Sequence, residues 1–399
     1  MKRLETEGFK KKILVTGGWN RASLALVNSL PENLYVIIGS PSKWSMTGFS
    51  KKINERFIYP DPELHPIAFV DAIKNFLEEN QVDILAPCLE EGFYLSEKSE
   101  QLEKTGAKIK FPQYESVRLL SNKFDFYDWC QKYNFPVADG EYVKSFDQVK
   151  TLCRKERSIL RLRESNGGKG VFLSDAVTKK ALQAMRKSLD NNGRVLRQKF
   201  IAGYGLTVEG IWSGGVVDGL VVRKTHRFKL PIGGAAAVIE STYHKEAIGV
   251  AKSLMAKLDY RGPAQVELRI DVNGKPVLIE VNPRWWGTIM FNTKMSGAYG
   301  SYLADLESED EGSQAGVPDG LLGVWWLGLL ISIFTYKGKG VCSTFKLLID
   351  KAKRHQVIAL DYVREDSRPF LMEFLSYAVE LFGSVKNKKS RIIKTRNEQ

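Results

Sequence analysis

The sequence predicts an α/β domain with a parallel sheet, then an α+β region built on antiparallel strands, and finally a helical C-terminal region. Over about the first 110 residues, short β-rich apolar segments alternate with helical patterns, as in βαβ units. From residue 141 to residue 281, strand patterns follow one another across Gly or Asn-Gly turns, which favours antiparallel pairing. Helical patterns return from Leu321 to Gly383.

The N-terminal elements follow a strand–turn–helix order. The predicted strands and helices are, in order, Ile13–Val15, Ala22–Leu30, Tyr35–Gly39, Ile67–Asn80 and Asp83–Pro87. The Gly17-Gly18 turn after the first strand is either an anion-binding turn or a plain tight turn. Glu90 and Glu91 follow the last strand, where each is either a ligand for a substrate ammonium group or an acidic residue at a helix N-terminus.

The α+β region begins with an amphipathic helix that Ser121-Asn122-Lys123 opens and that runs to about Tyr133. Asn273-Gly274 is the clearest hairpin turn. The predicted strands are Glu141–Val143, Ser158–Arg163, Val171–Leu173, Val195–Ile201, Leu206–Ile211, Val216–Arg223, Ala264–Ile270 and Pro276–Val281. An acidic stretch from Glu307 to Gly320 then predicts an exposed linker.

Composition narrows the class of protein. A chain of 399 residues exceeds one compact core, so two or three domains are expected. Its 43% hydrophobic and 26% charged residues are typical of a globular protein. The four cysteines lack the spacing of a zinc site or a disulfide framework, which fits a reducing compartment. The charged segment before Ile13 lacks the apolar core of a secretory signal, so a cytoplasmic protein is expected.

The net charge of +13 favours an anionic partner. Leu321–Phe334 carries no charge, but it is shorter than the roughly 20 apolar residues that a span needs, so it predicts a buried or interfacial helix. The tail from Lys386 to Arg396 is basic. Because of these two segments, there are two alternatives for location: purely cytoplasmic, or in peripheral contact with the inner membrane face. No nucleic-acid partner is expected, since only charge would support one.

Two segments have the composition of nucleotide-binding elements. Between the strands that hold Arg161 and Val171, glycines at 167, 168 and 170 would let backbone N–H groups approach phosphate oxygens. This loop is either a flap over a triphosphate or a simple hairpin connection. The segment from Arg197 to Gly203 is a strand running into a glycine turn. It is either a source of backbone amide and carbonyl groups for an adenine ring or only a strand.

A third segment pair predicts a metal site. Strand alternation puts Glu267 and Arg269 on one face of a strand, and Glu280 and Asn282 on one face of the next. Joined by a hairpin, these strands present two carboxylates and a carboxamide, which are ligands suited to Mg²⁺; the alternative is a solvated polar face. Arg284 follows two residues after Asn282, where it could meet a transferring phosphoryl group.

Taken in this order, the segments from about Lys12 to Leu306 resemble the ATP-grasp superfamily, in particular its carboxylate–amine ligase branch, similar to the ATP-binding domain of carbamoyl-phosphate synthetase. The pair Gln265–Arg269 and Ile279–Gly287 is the most specific match, and Ser121-Asn122-Lys123 and Gln198–Gly203 support it. The resemblance implies an ATP-grasp fold with a Rossmann-like N-terminal domain, and ATP and Mg²⁺ as cofactors, with Mn²⁺ as an alternative metal.

The resemblance also assigns roles to residues. The metal ligands would be Glu267, Glu280 and Asn282, and the catalytic residue would be Arg284. Nucleotide would contact Lys123, Arg161, Gly167, Gly168, Gly170, Gln198, Lys199, Phe200 and Ile201. Three positions depart from the family pattern: Arg161 replaces a lysine, Lys199 replaces an acidic residue, and Gly205 stands where many members bind ribose through a glutamate.

The function implied is an ATP-dependent ligase that joins a carboxylate to an amine through an acyl phosphate and releases ADP and phosphate. Its substrates would be a small amino acid or an anionic sugar carboxylate, and a homo-oligomer is compatible with the family. The alternative is a nucleotide-binding regulatory or scaffold protein without turnover. The predicted domains are 1–114 (Rossmann-like), 115–195 (small ATP-grasp subdomain), 196–306 (large subdomain with the metal site) and 307–399 (linker, helical region and basic tail).

Overall fold

The structure is a computed structural model, and it describes residues 10–152, 157–163, 170–230, 233–306 and 318–378. Within these ranges the strands form three sheets that follow one another along the chain. The predicted glycines 167 and 168 lie outside the described residues, as does the basic tail.

The first sheet is parallel, with strand order β3-β2-β1-β4-β5. Its strands are β1 (Lys11–Val15), β2 (Leu34–Ser40), β3 (Glu55–Ile58), β4 (Ile84–Ala86) and β5 (Lys108–Ile109), and its helices are α1 (Arg21–Ser29), α2 (Pro66–Asn80), α3 (Glu91–Glu97) and α4 (Ser99–Glu103). This topology confirms the predicted Rossmann-like domain, whose strands are wound outward from β1 in both directions.

Both faces of this sheet are buried, and alternate residues of β1 serve different cores. Leu14 packs with Ile73 and Leu77 of α2 on one face. Ile13 and Val15 pack on the opposite face, with α1. Because both faces are covered, the strands are continuous apolar runs, which is what a doubly wound parallel sheet requires.

The second sheet is antiparallel, with order β6-β9-β7-β8. Helices α5 (Tyr114–Ser121) and α6 (Lys123–Lys132) lead into it, and α7 (Phe146–Leu152) and α8 (Lys179–Asn192) pack on it. Its strands are β6 (Gly140–Val143), β7 (Ser158–Arg161), β8 (Val171–Leu173) and β9 (Val195–Lys199). The predicted subdomain boundary at residues 195 and 196 falls within β9, which pairs with β6 and β7; the domain bounds stay a prediction.

The third sheet has order β14-β13-β10-β11-β12-β15-β16. Its first five strands in the chain are β10 (Tyr204–Ser213), β11 (Val216–Leu230), β12 (Gly233–Ser241), β13 (Arg261–Ile270) and β14 (Pro276–Asn282), and its helices include α9 (Lys245–Lys257), α10 (Ile289–Thr293) and α11 (Ala298–Ala304). Leu206 and Val208 of β10 pack under α9, whereas Ile211 packs on the opposite face with α1. The N-terminal domain therefore lies directly against the sheet that carries the predicted metal ligands.

The C-terminal region is helical, as predicted, and it also extends the third sheet. It contributes β15 (Leu322–Val324), α12 (Trp326–Thr335), α13 (Val341–Lys353), β16 (Val357–Ala359) and helical residues 368–378. β15 pairs with β12, so the prediction of one helix from Leu321 to Phe334 is wrong over β15. Periodicity cannot distinguish a short buried strand from a helix when every residue in the segment is apolar.

Within the described residues, no helix is long and apolar enough to cross a bilayer. α12 instead lies on β11 and β12, with Leu327 and Leu329 buried. Its other face is exposed: Trp326, Leu330 and Phe334 are 43%, 47% and 74% exposed. These three side chains lie four residues apart and so share one face of the helix.

Candidate active site

A cleft of about 500 Å³ lies where the second and third sheets meet α1. Most of the side chains singled out from the sequence line it: Arg161, Gln198, Lys199, Phe200, Ile201, Glu267, Glu280, Asn282 and Arg284. Lys123 lies just behind, beside a smaller cavity that Arg161, Gln198 and Glu280 also line. Gly170 accepts a backbone hydrogen bond from Leu162 (2.9 Å) at the base of the loop. Segments up to about 160 residues apart in the chain thus converge on one cavity.

The two predicted carboxylates face each other across a pair of strands. In the antiparallel register of β13 and β14, Glu267 lies opposite Glu280, and Gln265 lies opposite Asn282. The Asn282 amide donates to a Glu267 oxygen (2.8 Å) and to the Gln265 side-chain oxygen (3.0 Å). On β13, alternation sends Val266 and Leu268 into the core under α9 and leaves Glu267 on the cleft side. On β14, Leu278 and Val281 both lie in that core, and a register shift in the strand pair leaves Glu280 on the cleft side.

Burial and proximity shift the pKa values of this pair. Burial, reinforced by the charge of Glu280, raises the pKa of Glu267 to about 7. Burial also raises the pKa of Glu280, but Lys123 and Arg161 outweigh that effect, and the net shift is downward. Two partly buried carboxylates that face each other repel unless a cation lies between them or one is protonated. The donor set, two carboxylates and a carboxamide, fits Mg²⁺.

Two cations accompany Glu280. Lys123 Nζ lies 3.1 Å from Glu280 Oε2, and Arg161 NH1 lies 3.4 Å from the same oxygen. Lys123 is the first residue of α6, and the Asn122 side chain caps that helix by accepting hydrogen bonds from the N–H groups of Phe124 and Asp125. The cleft therefore combines an acidic pair with two fixed cations, which suits a metal-bound polyphosphate.

The backbone from Gln198 to Ile201, at the end of β9 and just after it, forms one wall of the cleft. Arg269 donates to the carbonyl oxygens of Ile201 (2.8 Å) and Gly203 (2.7 Å), which fixes the backbone after β9. Gly203 has φ +134°, and a Cβ there would lie 1.9 Å from the Ile270 carbonyl oxygen. The guanidinium of Arg157 lies 4.3 Å from the centre of the Phe200 ring. This wall has the flat, partly apolar character that an adenine ring requires.

Arg284 has an acidic partner from the first domain. Its NH2 lies 3.0 Å from Glu90 Oε1, and its NH1 donates to the Trp285 carbonyl oxygen at 2.8 Å. Glu91 is buried, and its Oε1 accepts hydrogen bonds from Thr16 and from the N–H groups of Cys88 and Leu89. Glu91 therefore organises the turn at the start of α3, whereas Glu90 reaches the cleft through Arg284.

Three comparisons with known proteins agree with this geometry. Residues 120–288 match the family model described as the ATP-grasp domain. The chain is 26% identical over 212 residues to the carbamoyl phosphate synthase large chain of Clostridium acetobutylicum, a match that covers 50% of this chain and 19% of that protein. This chain carries an ATP-grasp domain. The predicted family resemblance is thereby confirmed.

Solved structures share the fold of this chain. N5-carboxyaminoimidazole synthetase from Staphylococcus aureus aligns over 76% of this chain and 79% of its own, with a TM-score of 0.56 and 15% identity. The biotin carboxylase domain of Hydrogenobacter thermophilus 2-oxoglutarate carboxylase, solved with MgADP, ADP and bicarbonate, aligns over 78% and 73%, with a TM-score of 0.59 and 14% identity. Campylobacter jejuni biotin carboxylase gives the same TM-score at 18% identity, with coverage of 78% and 74%.

Sequence reasoning missed a buried network in the ATP-grasp domain. Glu209 is fully buried, and its Oε1 accepts hydrogen bonds from Arg223 Nε (2.7 Å), Gln265 Nε2 (2.6 Å) and Thr207 (3.1 Å). Because Gln265 in turn accepts from Asn282, the Glu209 carboxylate fixes the orientation of the predicted metal ligands from behind. The available signal was one acidic residue in the apolar strand Leu206–Trp212.

We expect Glu209→Gln to weaken Mg²⁺ binding by about 10- to 100-fold, because losing the charge releases Arg223 and Gln265 from their present geometry. Titration of MgATP-dependent activity with Mg²⁺, at fixed ATP, measures this effect. Asp259→Asn is the matched control, since Asp259 pairs with Arg261 at an exposed site (3.1 Å). Equal Mg²⁺ dependence in wild type and Glu209→Gln would show that the network does not act on the metal ligands.

The basic residues of β11, Arg223, His226 and Arg227, divide between the cleft and the C-terminal region. Arg223 lines the cleft, whereas His226 lies 2.7 Å from Glu240. Arg227 is buried, and it donates to the Ser332 hydroxyl (2.6 Å) and to the Lys339 carbonyl (3.1 Å). β-Bulges around Arg227 break the alternation, which is why these neighbours do not share one face.

Proposed function

We propose that this chain is an ATP- and Mg²⁺-dependent carboxylate–amine ligase. The observation that carries the proposal is the facing pair Glu267 and Glu280, with Lys123 and Arg161 beside it, in one cleft with the Gln198–Ile201 wall. Support comes from relatives whose names describe carbamoyl phosphate synthase, N5-carboxyaminoimidazole synthetase and a carboxylase domain with bound MgADP and bicarbonate.

Each group has a defined role in this proposal. Glu267, Glu280 and Asn282 would hold Mg²⁺, which supplies charge neutralisation at the β- and γ-phosphates of ATP. Lys123 and Arg161 hold the triphosphate, and the Gln198–Ile201 backbone holds adenine. An oxygen of the substrate carboxylate attacks the γ-phosphorus, and the bond to the β-phosphate oxygen breaks, which yields an acyl phosphate and ADP.

The second half of the reaction forms the carbon–nitrogen bond. A neutral amine attacks the acyl carbon, phosphate leaves with the electron pair of the carbon–oxygen bond, and the nitrogen loses a proton to solvent. Arg284 stabilises negative charge on the transferring phosphoryl group and then on the tetrahedral adduct. Its partner Glu90 limits the motion of the guanidinium between these two tasks, since their ion pair is 3.0 Å long.

The test is nucleotide chromatography of the purified chain incubated with MgATP and pooled amino acids, uronic acids and other small carboxylates. ADP that appears only with a pool supports the ligase, and splitting the pool identifies the substrates. AMP would contradict the acyl-phosphate route. Tight MgATP binding without product from any pool would favour the regulatory or scaffold alternative. Replacing Mg²⁺ with Mn²⁺ in the same assay tests the second metal.

We also propose a peripheral contact between the exposed face of α12 and an anionic membrane surface. Trp326, Leu330 and Phe334 form the apolar face, and the exposed residues Lys337 and Lys339 follow it directly. Apolar side chains beside lysines match the acyl boundary and headgroups of an anionic lipid layer. Flotation with phosphatidylserine vesicles should recover the chain, and Phe334→Ser should reduce recovery about 3- to 10-fold. Equal recovery with neutral vesicles, or none, would contradict this contact.

A further inference from the structure

Arg21 is a buried cation that the proposed chemistry leaves unused. It begins α1 in the first domain, only 10% of its side chain is exposed, and it lines the same cleft as Glu267 and Arg284. Its guanidinium lies face to face with the Trp325 ring of the C-terminal region, at 3.3 Å from the ring centroid. Stacking covers the faces of a guanidinium but leaves its N–H groups, which lie in its plane, available as donors.

The donors of Arg21 are poorly satisfied in the described part of the chain. NH1 is buried without a hydrogen-bond partner, and its closest acid is Glu373, at 3.8 Å. NH2 points toward Gly287, where an added Cβ would lie only 3.2 Å from it. Thr288, the next residue, also lines the cleft, and its buried hydroxyl has no hydrogen-bond partner among the described residues. Leaving such donors unsatisfied costs free energy, which an oxyanion would recover.

Two acids, Glu373 and Asp361, act on the charge of Arg21, and burial disfavours the ionised form of each. Burial raises the pKa of Glu373 to about 7, although Arg21 opposes that shift, and burial also raises the pKa of Asp361. Burial lowers the pKa of Arg21, but an arginine remains charged in proteins. Lys229 adds a second cation, 5.4 Å from the centroid of the same Trp325 ring. Arg21 and Lys229 therefore place two cations beside one tryptophan ring, where the first domain and the C-terminal region meet.

We propose that Arg21, together with the Thr288 hydroxyl, binds an oxyanion group, carboxylate or phosphate, of the non-nucleotide substrate. This inference rests on the proposed ligase function and specifies its substrate class: one substrate carries an anionic group besides the atoms that react. The absence of a side chain at Gly287 leaves space beside NH2, since a Cβ there would lie 3.2 Å from it. Trp325 holds the guanidinium in place, so the C-terminal region completes the substrate site.

The test measures the melting temperature of the chain saturated with MgADP, against three panels. The first contains the twenty amino acids and small dicarboxylates, the second the corresponding amides, and the third inorganic phosphate and glycerol 3-phosphate. We expect members of the first or third panel to raise the melting temperature and the amides to have no effect. The responding panel identifies the oxyanion as carboxylate or phosphate, and no response from either would overturn the proposal.

Three variants test whether Arg21 is responsible for the rise in melting temperature. Arg21→Gln should weaken binding of the responding compound by about 10- to 100-fold, and Arg21→Lys should restore part of it. Gly287→Ala should weaken the same binding by crowding NH2, and it serves as the deciding variant if Arg21→Gln does not fold. MgADP affinity should stay unchanged in all three. Anion binding that is unchanged in Arg21→Gln would overturn the assignment. If that variant is unfolded, unchanged binding in Gly287→Ala would overturn it. An equal loss of MgADP affinity would also overturn it.

The two proposals fail separately. If no pool yields ADP but an oxyanion binds in an Arg21-dependent manner, the ligase is contradicted and the anion site stands. If ADP forms with an acceptor whose KM is the same in wild type and Arg21→Gln, the ligase stands and the anion site is contradicted. A purely structural Arg21 would change the melting temperature without changing the response to anions.

Discussion

Glu280→Gln is expected to lower ADP formation by about 10³-fold, the largest effect of any single substitution in the cleft. Glutamine keeps the size of the side chain but removes one of two facing carboxylates, so the metal loses a charged ligand. The change also removes the negative charge that pairs with Lys123 (3.1 Å) and Arg161 (3.4 Å). Chromatographic measurement of ADP, at saturating MgATP and with a responding substrate pool, gives the rate.

The matched control is Glu246→Gln. Glu246 also pairs with a lysine, Lys275 at 3.5 Å, but on the exposed side of α9. We expect it to change the rate less than twofold, because an exposed pair contributes little. Circular dichroism should show both variants folded. A folded Glu280→Gln variant with the wild-type rate would exclude Glu280 as a metal ligand, whatever other residues contribute.

Gly203→Ala is expected to lower the free energy of unfolding by about 3 kcal/mol and to weaken ADP binding. Gly203 has φ +134°, a conformation that other residues rarely adopt, and its Cβ would lie 1.9 Å from the Ile270 carbonyl oxygen. Relieving this contact must move backbone, and Gly203 also accepts the hydrogen bond from Arg269 that fixes the cleft wall. Urea unfolding and ADP titration measure the two effects.

Gly249→Ala is expected to change the free energy of unfolding in the opposite direction, and it controls for the glycine-to-alanine change itself. Gly249 is exposed within α9, and an added Cβ meets no atom within 4 Å. Alanine there should raise the free energy of unfolding by about 0.5–1 kcal/mol, because it restricts the unfolded chain and favours the helix. If both variants unfold at the wild-type urea concentration, the contact inferred at Gly203 is contradicted.

The sequence was informative where local pattern alone decides geometry. Alternation placed Glu267 on the cleft side of β13 and Val266 in the core, and Asn273-Gly274 set the hairpin that brings β14 alongside. The observed β1, α1, β2 and α2 differ from the predicted bounds by no more than two residues at each end. The two strands are continuous apolar runs bounded by turn residues, and the two helices have helical periodicity, so tertiary context had little to override.

The sequence did not predict contacts between residues that lie far apart in the chain. Arg21 and Trp325 are some 300 residues apart, and only the fold shows that one stacks on the other. Glu209 is buried because β10 is central, between β11 and β13, and nothing local distinguishes a central strand from an edge strand. The same reason hid β15 and β16, which are three residues each: β15 gains its pairing from β12, and β16 pairs with β15.

The late pairing of β15 with β12 also bears on synthesis of the chain. Ser241 at the end of β12 accepts a hydrogen bond from the N–H group of Leu321, which lies 80 residues further along the chain and is synthesised later. At ribosomal rates of roughly 5–20 residues per second, the edge of β12 stays without its partner for about 4 to 16 s. During that interval its N–H and C=O groups are a template for any neighbouring nascent strand. We therefore expect the incomplete chain, with the edge of β12 unpaired, to aggregate more readily than the complete chain.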